Sequence, residues 1–225
     1  MHINQRSRMN CDWLAPYYES LEHLSFGRFL EERRFAFLEQ TQRFERTLEC
    51  GGGDGRFLAR LLSLNHKVQV DFVDSSSKMT EMAERRVSRM GSVYRKRVRF
   101  FIGDVREFEP HTAGYDLIVT HFFLDCFDDK ELAEVVARLA SWRKTDSRWV
   151  VSEFCEGQGM IGRLWTRAVI RSLYAAFLFS TGLRVKRLPD YRAILAQEGF
   201  SPRFEESALG GLLHSSFWEG HSAHS

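Results

Sequence analysis

Glu49-Cys50-Gly51-Gly52-Gly53-Asp54-Gly55-Arg56-Phe57 is the stretch on which the reading of this chain turns. An apolar run, Thr47 to Cys50, leads into it, and Phe57, Leu58, Leu61, Leu62 and Leu64 leave it at helical spacing, so the loop joins a strand to a helix. Glycine recurs at every second position from Gly51 to Gly55, and main chain without Cβ atoms lets a ligand lie directly against it. A dinucleotide fingerprint counted from Gly51 requires its third glycine where Arg56 stands, and the glycine-lysine-hydroxyl triplet of a phosphate-binding loop is absent. What remains is an acidic residue at a strand end followed by alternating glycines. That arrangement suits a ligand with an amino acid moiety, its cation facing Glu49, better than a pyrophosphate.

Outward from this loop, short apolar runs alternate with helical stretches, the pattern of a parallel sheet wrapped by helices. Strands are expected at Thr47 to Cys50, Val68 to Val73, Val98 to Ile102, Tyr115 to Thr120 and Arg148 to Phe154. Met79, Met82, Ala83 and Val87 mark a second crossover helix. Asp128 opens a third as a capping box, with Glu131 reaching back and Leu132, Val135, Val136 and Leu139 forming its apolar face. Beyond Phe154 the character changes: Gly157 to Gly162 reads as a flexible lead-in to a basic, aromatic helical segment carrying Trp165, Tyr174, Phe177 and Phe179. Asp190 caps a short helix stopped by Gly199. Phe200 to Glu205 and Gly211 to Trp218 are expected to pair as an antiparallel hairpin at the sheet edge, across the Gly210-Gly211 turn. Residues before 46 read as two helices with aromatic faces, too small to fold alone. The expected organisation is one α/β domain: a helical lid over 1–45, a ligand-binding core over 46–155, a helical insertion over 156–190, and a helix with a strand pair over 191–225.

With 225 residues, 44% hydrophobic and 28% charged, one core is well supported and wholesale disorder is excluded. Lys plus Arg exceed Asp plus Glu by only 32 to 30, too small a bias for a dedicated polyanion binder. Cys11, Cys50, Cys126 and Cys155 are scattered with no C-x-x-C pair, which argues for reduced thiols rather than a disulfide framework or zinc ribbon. The polar, basic start does not read as a secretory leader. Ala168 to Leu183, apolar but for Arg171 and a few hydroxyls, falls short of the roughly 20 residues needed to cross a bilayer and reads as a buried or interfacial helix. A cytoplasmic protein is expected.

Two further carboxylates follow at telling places. Asp74, at the tip of the second strand, can accept hydrogen bonds from both hydroxyls of a ribose, and Asp104, in Gly103-Asp104 after the third, can take the exocyclic amine of a purine. Open parallel sheets bind ligands at the carboxyl ends of their strands, so Glu49, Asp74 and Asp104 are expected in one crevice. In Glu49-x-Gly51-x-Gly53-x-Gly55, Val73-Asp74-Ser75-Ser76-Ser77-Lys78-Met79, Gly103-Asp104 and Tyr115-Asp116-Leu117-Ile118-Val119-Thr120, the chain resembles the class I, Rossmann-like S-adenosylmethionine-dependent methyltransferases over roughly residues 46 to 155. The resemblance implies a seven-stranded, mostly parallel sheet with an antiparallel last strand and helices on both faces. It also implies S-adenosyl-L-methionine as cofactor, held by Glu49, Gly51, Gly53, Gly55, Asp74, Ser75, Met79, Asp104, Val105, Thr120 and His121. Asp12-Trp13-Leu14-Ala15-Pro16-Tyr17-Tyr18 with Phe26-Gly27 is more loosely similar to the ubiquinone/menaquinone biosynthesis methyltransferases, which suggests a small-molecule methyl acceptor.

Methyl transfer needs in-line approach and loss of charge at sulfur, so positioning and desolvation supply much of the catalysis and no metal is demanded. His121, in Thr120-His121-Phe122-Phe123-Leu124-Asp125-Cys126-Phe127, is the candidate catalytic base; a packing histidine is equally compatible with its position. Asp125 either orients it or caps the next turn, and Phe122, Phe123 and Phe127 are expected to pack under the cofactor. By family analogy Tyr17, Tyr18, His23 and Phe26, with Trp165 and Tyr174, are expected to roof the acceptor pocket, which would suit a flat or apolar molecule; any single one of them reads more simply as part of a hydrophobic lid packed on the sheet. Oxygen or carbon acceptors match a histidine base; nitrogen and sulfur stay open. Arg163, Arg167 and Arg171 form one basic helical face, either solvated or in contact with an acidic substrate or membrane headgroups. Lipid-headgroup methylation at a membrane surface is therefore an alternative, and a cofactor-binding subunit without turnover is another. His214, His221 and His224 read as a strand residue and a polar tail rather than a metal site. The acidic, proline and aromatic cluster of nucleic-acid methylation is missing after the fourth strand. Arg85, Arg86, Arg89, Arg95, Lys96, Arg97 and Arg99 read as a solvated belt, so no nucleic-acid partner is expected; nothing in the chain specifies an oligomeric state.

Overall fold

Burial on both faces is what a central parallel strand requires, and β1 (Arg46–Cys50) is buried at every position after its first. The computed structural model describes residues 28–156, 166 and 188–221. A short helix, α1 (Arg28–Arg34), precedes β1. The chain then alternates through α2 (Arg56–Leu64), β2 (Gln69–Asp74), α3 (Ser77–Met90), α4 (Ser92–Arg95), β3 (Val98–Ile102) and β4 (Tyr115–His121). It continues with α5 (Asp129–Ser141), β5 (Arg143–Phe154), α6 (Tyr191–Gln197), β6 (Phe200–Ala208) and β7 (Leu213–Gly220).

The seven strands form one sheet in the order β3-β2-β1-β4-β5-β7-β6. β1 to β5 run parallel, while β7 runs antiparallel to both β5 and β6. The expected hairpin is therefore present, docked through its second strand, with β6 at the edge and a register shift between Pro202 and Phe204. Gly210 (φ 64°) and Gly211 (φ 92°) make its turn. From β1 the chain steps outward to β2 and β3, then returns to β4 on the other side of β1. The crevice between the ends of β1 and β4 is thus where the strand order reverses.

Each face of the sheet carries its own core. α5 and α6 cover Leu48, Ile118, Trp149 and Val151 on one side; α2 and α3 cover Phe72, Leu117, Val119 and Val150 on the other. Leu58, Leu61 and Leu62 of α2 are fully buried, and each contributes about 1.5–3 kcal/mol of transfer free energy.

Three expectations need correction. β5 begins at Arg143 rather than Arg148: Arg143 pairs with Tyr115, and the polar segment before Ser147 joins the ladder although its side chains offer no apolar alternation. At the start of α5, Asp128 does accept from the Glu131 amide at 2.9 Å, but the Glu131 carboxylate does not reach back to close a capping box; it pairs with Arg106 at 3.1 Å. The basic stretch from Arg85 to Arg99 is not simply solvated. Arg85 pairs with Glu81, Arg86 with Asp54, Arg95 with Glu84 and Arg99 with Asp71, while Arg97 donates to the carbonyls of Asn65 and Leu62. The first turns of α3 and α6 are capped by Ser76 and Asp190, and Gly199 (φ 78°) follows α6 as expected. Among the described residues no helix is long and apolar enough to cross a membrane.

Asn65 ties the end of α2 to its surroundings. Its side chain is 4% exposed, donates to the Phe44 carbonyl at 2.6 Å, and accepts from the amides of Lys67 and Val68 at 3.0 and 3.1 Å. Asn65→Ala strands these backbone groups away from water and is expected to lower stability by about 3 kcal/mol, read from the urea midpoint; a loss below about 0.5 kcal/mol would show that the three bonds are dispensable.

Candidate active site

Glu49 pairs with Val119 across the β1–β4 junction, and alternation along β4 turns His121 to the same face. Phe57, from the first turn of α2, lies against His121 edge to face, with ring centroids 4.7 Å apart. Arg34 of α1 lines the same space, as do the glycine loop and Phe122. These groups surround a cleft at the carboxyl end of β1, lined by Arg34, Glu49, the glycine loop, Phe57, His121 and Phe122.

Close packing shapes the loop at its floor. Gly51, Gly53 and Gly55 adopt φ of 65°, 59° and 75°, the left-handed region that favours glycine. A Cβ on Gly51 would stand 2.4 Å from the Phe123 ring, and one on Gly55 would stand 2.6 Å from Ala83 Cβ of α3. At Gly53, by contrast, nothing lies within 4 Å of the Cβ position. The loop is thus pressed from beneath and open above. Asp74 steadies it: Oδ2 accepts from the Gly53 amide at 2.9 Å and Oδ1 from the Ser76 amide at 2.9 Å. Asp54, 4% exposed, fixes the far side through Arg56 at 3.1 Å and Arg86 at 2.8 Å.

The electrostatics of the cleft are those of removed water. Glu49 is 1% exposed, and neither carboxyl oxygen has a hydrogen-bond partner. Burial pushes it up to about 8, against the opposing pull of Arg34, so the buried acid is largely protonated at neutral pH. His121 is equally dry, with both ring nitrogens unpartnered; burial first and Arg34 second hold it well below the usual imidazole range, so it is neutral.

Of the residues proposed from sequence, Glu49, Gly51, Gly53 and His121 line the cleft, with Asp74 joined to it through Gly53. Gly55 packs on α3 below, Ser75 is exposed beside Asp74, and Met79 is buried in the first turn of α3. Asp104 stands apart from the lining: its carboxylate is gripped by Arg106, Nε at 2.9 Å and Nη2 at 2.5 Å, and three carboxylates do not face one crevice. Val105 is buried in the core, and the Thr120 side chain is turned to the opposite face, where its hydroxyl accepts from Trp149 Nε1 at 3.0 Å. Asp125 does not orient His121, whose nitrogens are unpartnered; it packs beside Glu153. Phe123 does lie against the glycine loop, edge to face with Phe127 at 5.1 Å. His214 is a β7 residue bonded to the Tyr191 hydroxyl at 2.9 Å, and His221 meets Ser201 at 2.6 Å. Tyr17, Tyr18, His23, Phe26, Arg163, Trp165, Arg167, Arg171, Tyr174 and His224 lie outside the described residues. Sequence reasoning passed over Arg34, which only its neighbour Arg33 and the apolar Leu30 mark out, and over Glu153, which looked like one more polar strand residue. Among the described residues no three His, Cys, Asp or Glu side chains are grouped to hold a metal ion.

A family model described as a methyltransferase domain matches residues 47–146, the span from β1 into β5 that builds this cleft. Over that span the core is similar to methyltransferase domains. The chain is 28% identical over 148 residues to the malonyl-[acyl-carrier protein] O-methyltransferase of Halalkalibacterium halodurans, covering 62% of this chain and 51% of that protein. The chain thus spans about half the length of this curated relative. An O-methyltransferase family protein from Burkholderia thailandensis superposes with a TM-score of 0.69 at 17% identity, over 95% of this chain and 60% of the other. An O-methyltransferase of neocarzinostatin biosynthesis, solved with S-adenosylmethionine and 2-hydroxy-5-methyl naphthoic acid, gives 0.61 at 17% identity, over 92% and 56%. At such identities these structures share the fold.

S-adenosylmethionine is the cofactor of this domain class, and the residues present suit it: an orphaned buried carboxyl, a loop open only above Gly53, and an aspartate at the next strand end. The raised Glu49 value has a consequence without any ligand. The folded chain holds that proton more tightly than the unfolded chain, so the contribution to stability is full below the ordinary carboxyl range and falls as pH rises toward about 8. Glu49→Gln is expected to remove a decline on the order of a few kcal/mol from that window, read from thermal melts across pH; identical pH profiles for parent and variant would show the carboxyl to be ionised in the fold.

Proposed function

We propose that this chain transfers a methyl group from S-adenosylmethionine to a small-molecule acceptor, with oxygen the favoured acceptor atom. One observation carries the reading: Glu49, sealed at the point where the strand order reverses, has neither a donor nor water to satisfy it, and the ammonium of a methionine moiety supplies both charge and hydrogen bonds. Arg34, on the facing helix, is suited to the carboxylate of the same moiety. Asp74, at the end of β2 and bonded to the Gly53 and Ser76 amides, is suited to the ribose hydroxyls.

When bound, the cofactor supplies a methyl activated by sulfonium charge. His121 supports oxygen as the acceptor: neutral, unpartnered and facing the cleft, it can take the hydroxyl proton as the new carbon–oxygen bond forms, leaving imidazolium and an ether or ester. The activity of the Halalkalibacterium halodurans relative points the same way. The aromatic set Tyr17, Tyr18, Phe26, Trp165 and Tyr174 favours a flat or apolar acceptor.

Titration with S-adenosylhomocysteine near neutral pH, in buffers of differing ionisation enthalpy, is expected to release close to one proton per site from Glu49, and none in Glu49→Gln. A binding enthalpy independent of buffer would remove Glu49 from the ammonium site. A screen of phenols, carboxylic acids, amines and thiols for release of the demethylated cofactor should identify the acceptor class. On that acceptor His121→Ala is expected to cost about 10²–10⁴-fold in turnover with cofactor affinity unchanged; undiminished turnover at saturation would reject the base. Cofactor binding without turnover on any acceptor would favour a non-catalytic subunit.

A further inference from the structure

We propose that Glu153, near the end of β5, is a positioning residue: buried beside Asp125, its carboxyl clamps the turn after β4 and so aims His121 and Phe122 into the cleft. The inference deepens the methyl-transfer reading, which gives the cleft its purpose, while the clamp itself is a property of the chain alone.

The turn needs holding. Phe122 has φ of 53°, a region a bulky side chain enters only when its surroundings force it. Three consecutive amides tie the turn to β5. Phe122 donates to the Ser152 carbonyl at 2.7 Å, and Phe123 and Leu124 donate to one oxygen of Glu153, Oε1, at 2.9 and 2.7 Å. Glu153 is 1% exposed and Leu124 fully buried, so no water competes for these bonds. The clamped residues form the wall of the cleft. Phe123 packs under Gly51, and the Phe122 ring faces the Arg34 guanidinium at 5.8 Å. If the turn slid, both the cofactor loop and the histidine would lose their backing.

The second oxygen, Oε2, is buried and receives no donor, which marks it as the place for a proton. Asp125, 9% exposed, lies beside Glu153. Burial is the first cause raising both groups, Asp125 to about 6 and Glu153 well above the carboxylate range, with Asp125 the next cause for Glu153. The groups around the pair offer little countercharge. The Cys126 thiol stands 3.7 Å from Asp125; Cys155 is pushed up to about 12 and Tyr191 also up, both by burial; His214, opposite Glu153 on β7, is held down by burial. Arg192 and Arg33 are cations nearby, and their guanidinium groups are engaged by Glu205 and Glu206 respectively. Rising pH therefore places two carboxylates side by side and loosens the clamp, whereas neutral and mildly acidic pH keep it closed.

Glu153→Gln keeps the accepting oxygen and deletes the titration; Glu153→Ala deletes both. Hydrogen exchange at the Phe123 and Leu124 amides, corrected for intrinsic rates, reads the clamp without any ligand, and S-adenosylhomocysteine calorimetry reads its effect on the cleft. The alanine variant is expected to exchange about 10–100-fold faster at these amides and to bind S-adenosylhomocysteine more weakly, while the glutamine variant matches the parent at neutral pH and lacks its alkaline loosening. Unchanged protection in a folded Glu153→Ala chain would overturn the proposal, and so would a Glu153→Gln chain that loosens with pH as the parent does. Should the alanine variant not fold, the glutamine comparison decides alone. A parent that ignores S-adenosylhomocysteine would sink the cofactor reading and leave the exchange measurement to judge the clamp.

Discussion

Dehydration of charge at the carboxyl end of β1 is the condition around which the rest is arranged. Glu49, His121 and Arg34 share a dry cleft; the acid keeps its proton, the imidazole stays neutral, and the guanidinium field opposes the first while reinforcing the second. A carboxyl sealed from water without a donor detracts from stability, and a chain tolerates that where a ligand resolves it. The packing follows from this requirement. Phe72, Phe123 and Ala83 press on the glycine loop from below, so the main chain is already shaped before anything binds.

Much of this architecture was legible from pattern alone. Strands buried on both faces appear as continuous apolar runs, and β1, β3 and β4 fall where Thr47, Val98 and Tyr115 announce them. The hairpin was legible because Gly210-Gly211 marks a turn independent of context. The missing start of β5 was not. Arg143 to Asp146 enters the ladder through backbone hydrogen bonds, which leave no trace in side-chain hydropathy.

The site divides along the same line. Glycines at fixed spacing and carboxylates at strand ends are local signals, so Glu49 and the loop could be read in order. Arg34 and Glu153 could not, because their importance comes from elements far away in the chain, α1 beside the end of β1 and β5 behind the turn after β4. Asp104 illustrates the converse. Its position matches the pattern, yet Arg106, two residues on, draws its carboxylate into a bond with a different purpose. Thr120 and His121 are neighbours in sequence but face opposite cores, as every pair of adjacent strand residues must.

The outer strand of the sheet bears on how this protein behaves in company. A free row of backbone donors and acceptors invites a second chain to zip alongside and begin aggregation. Along β6 that invitation is withdrawn: Pro202 has no amide to offer, the ladder skips a residue beside it, and the exposed Arg203, Glu205 and Glu206 surround what remains with charge. A further strand would find few hydrogen-bonding groups to match beside Pro202.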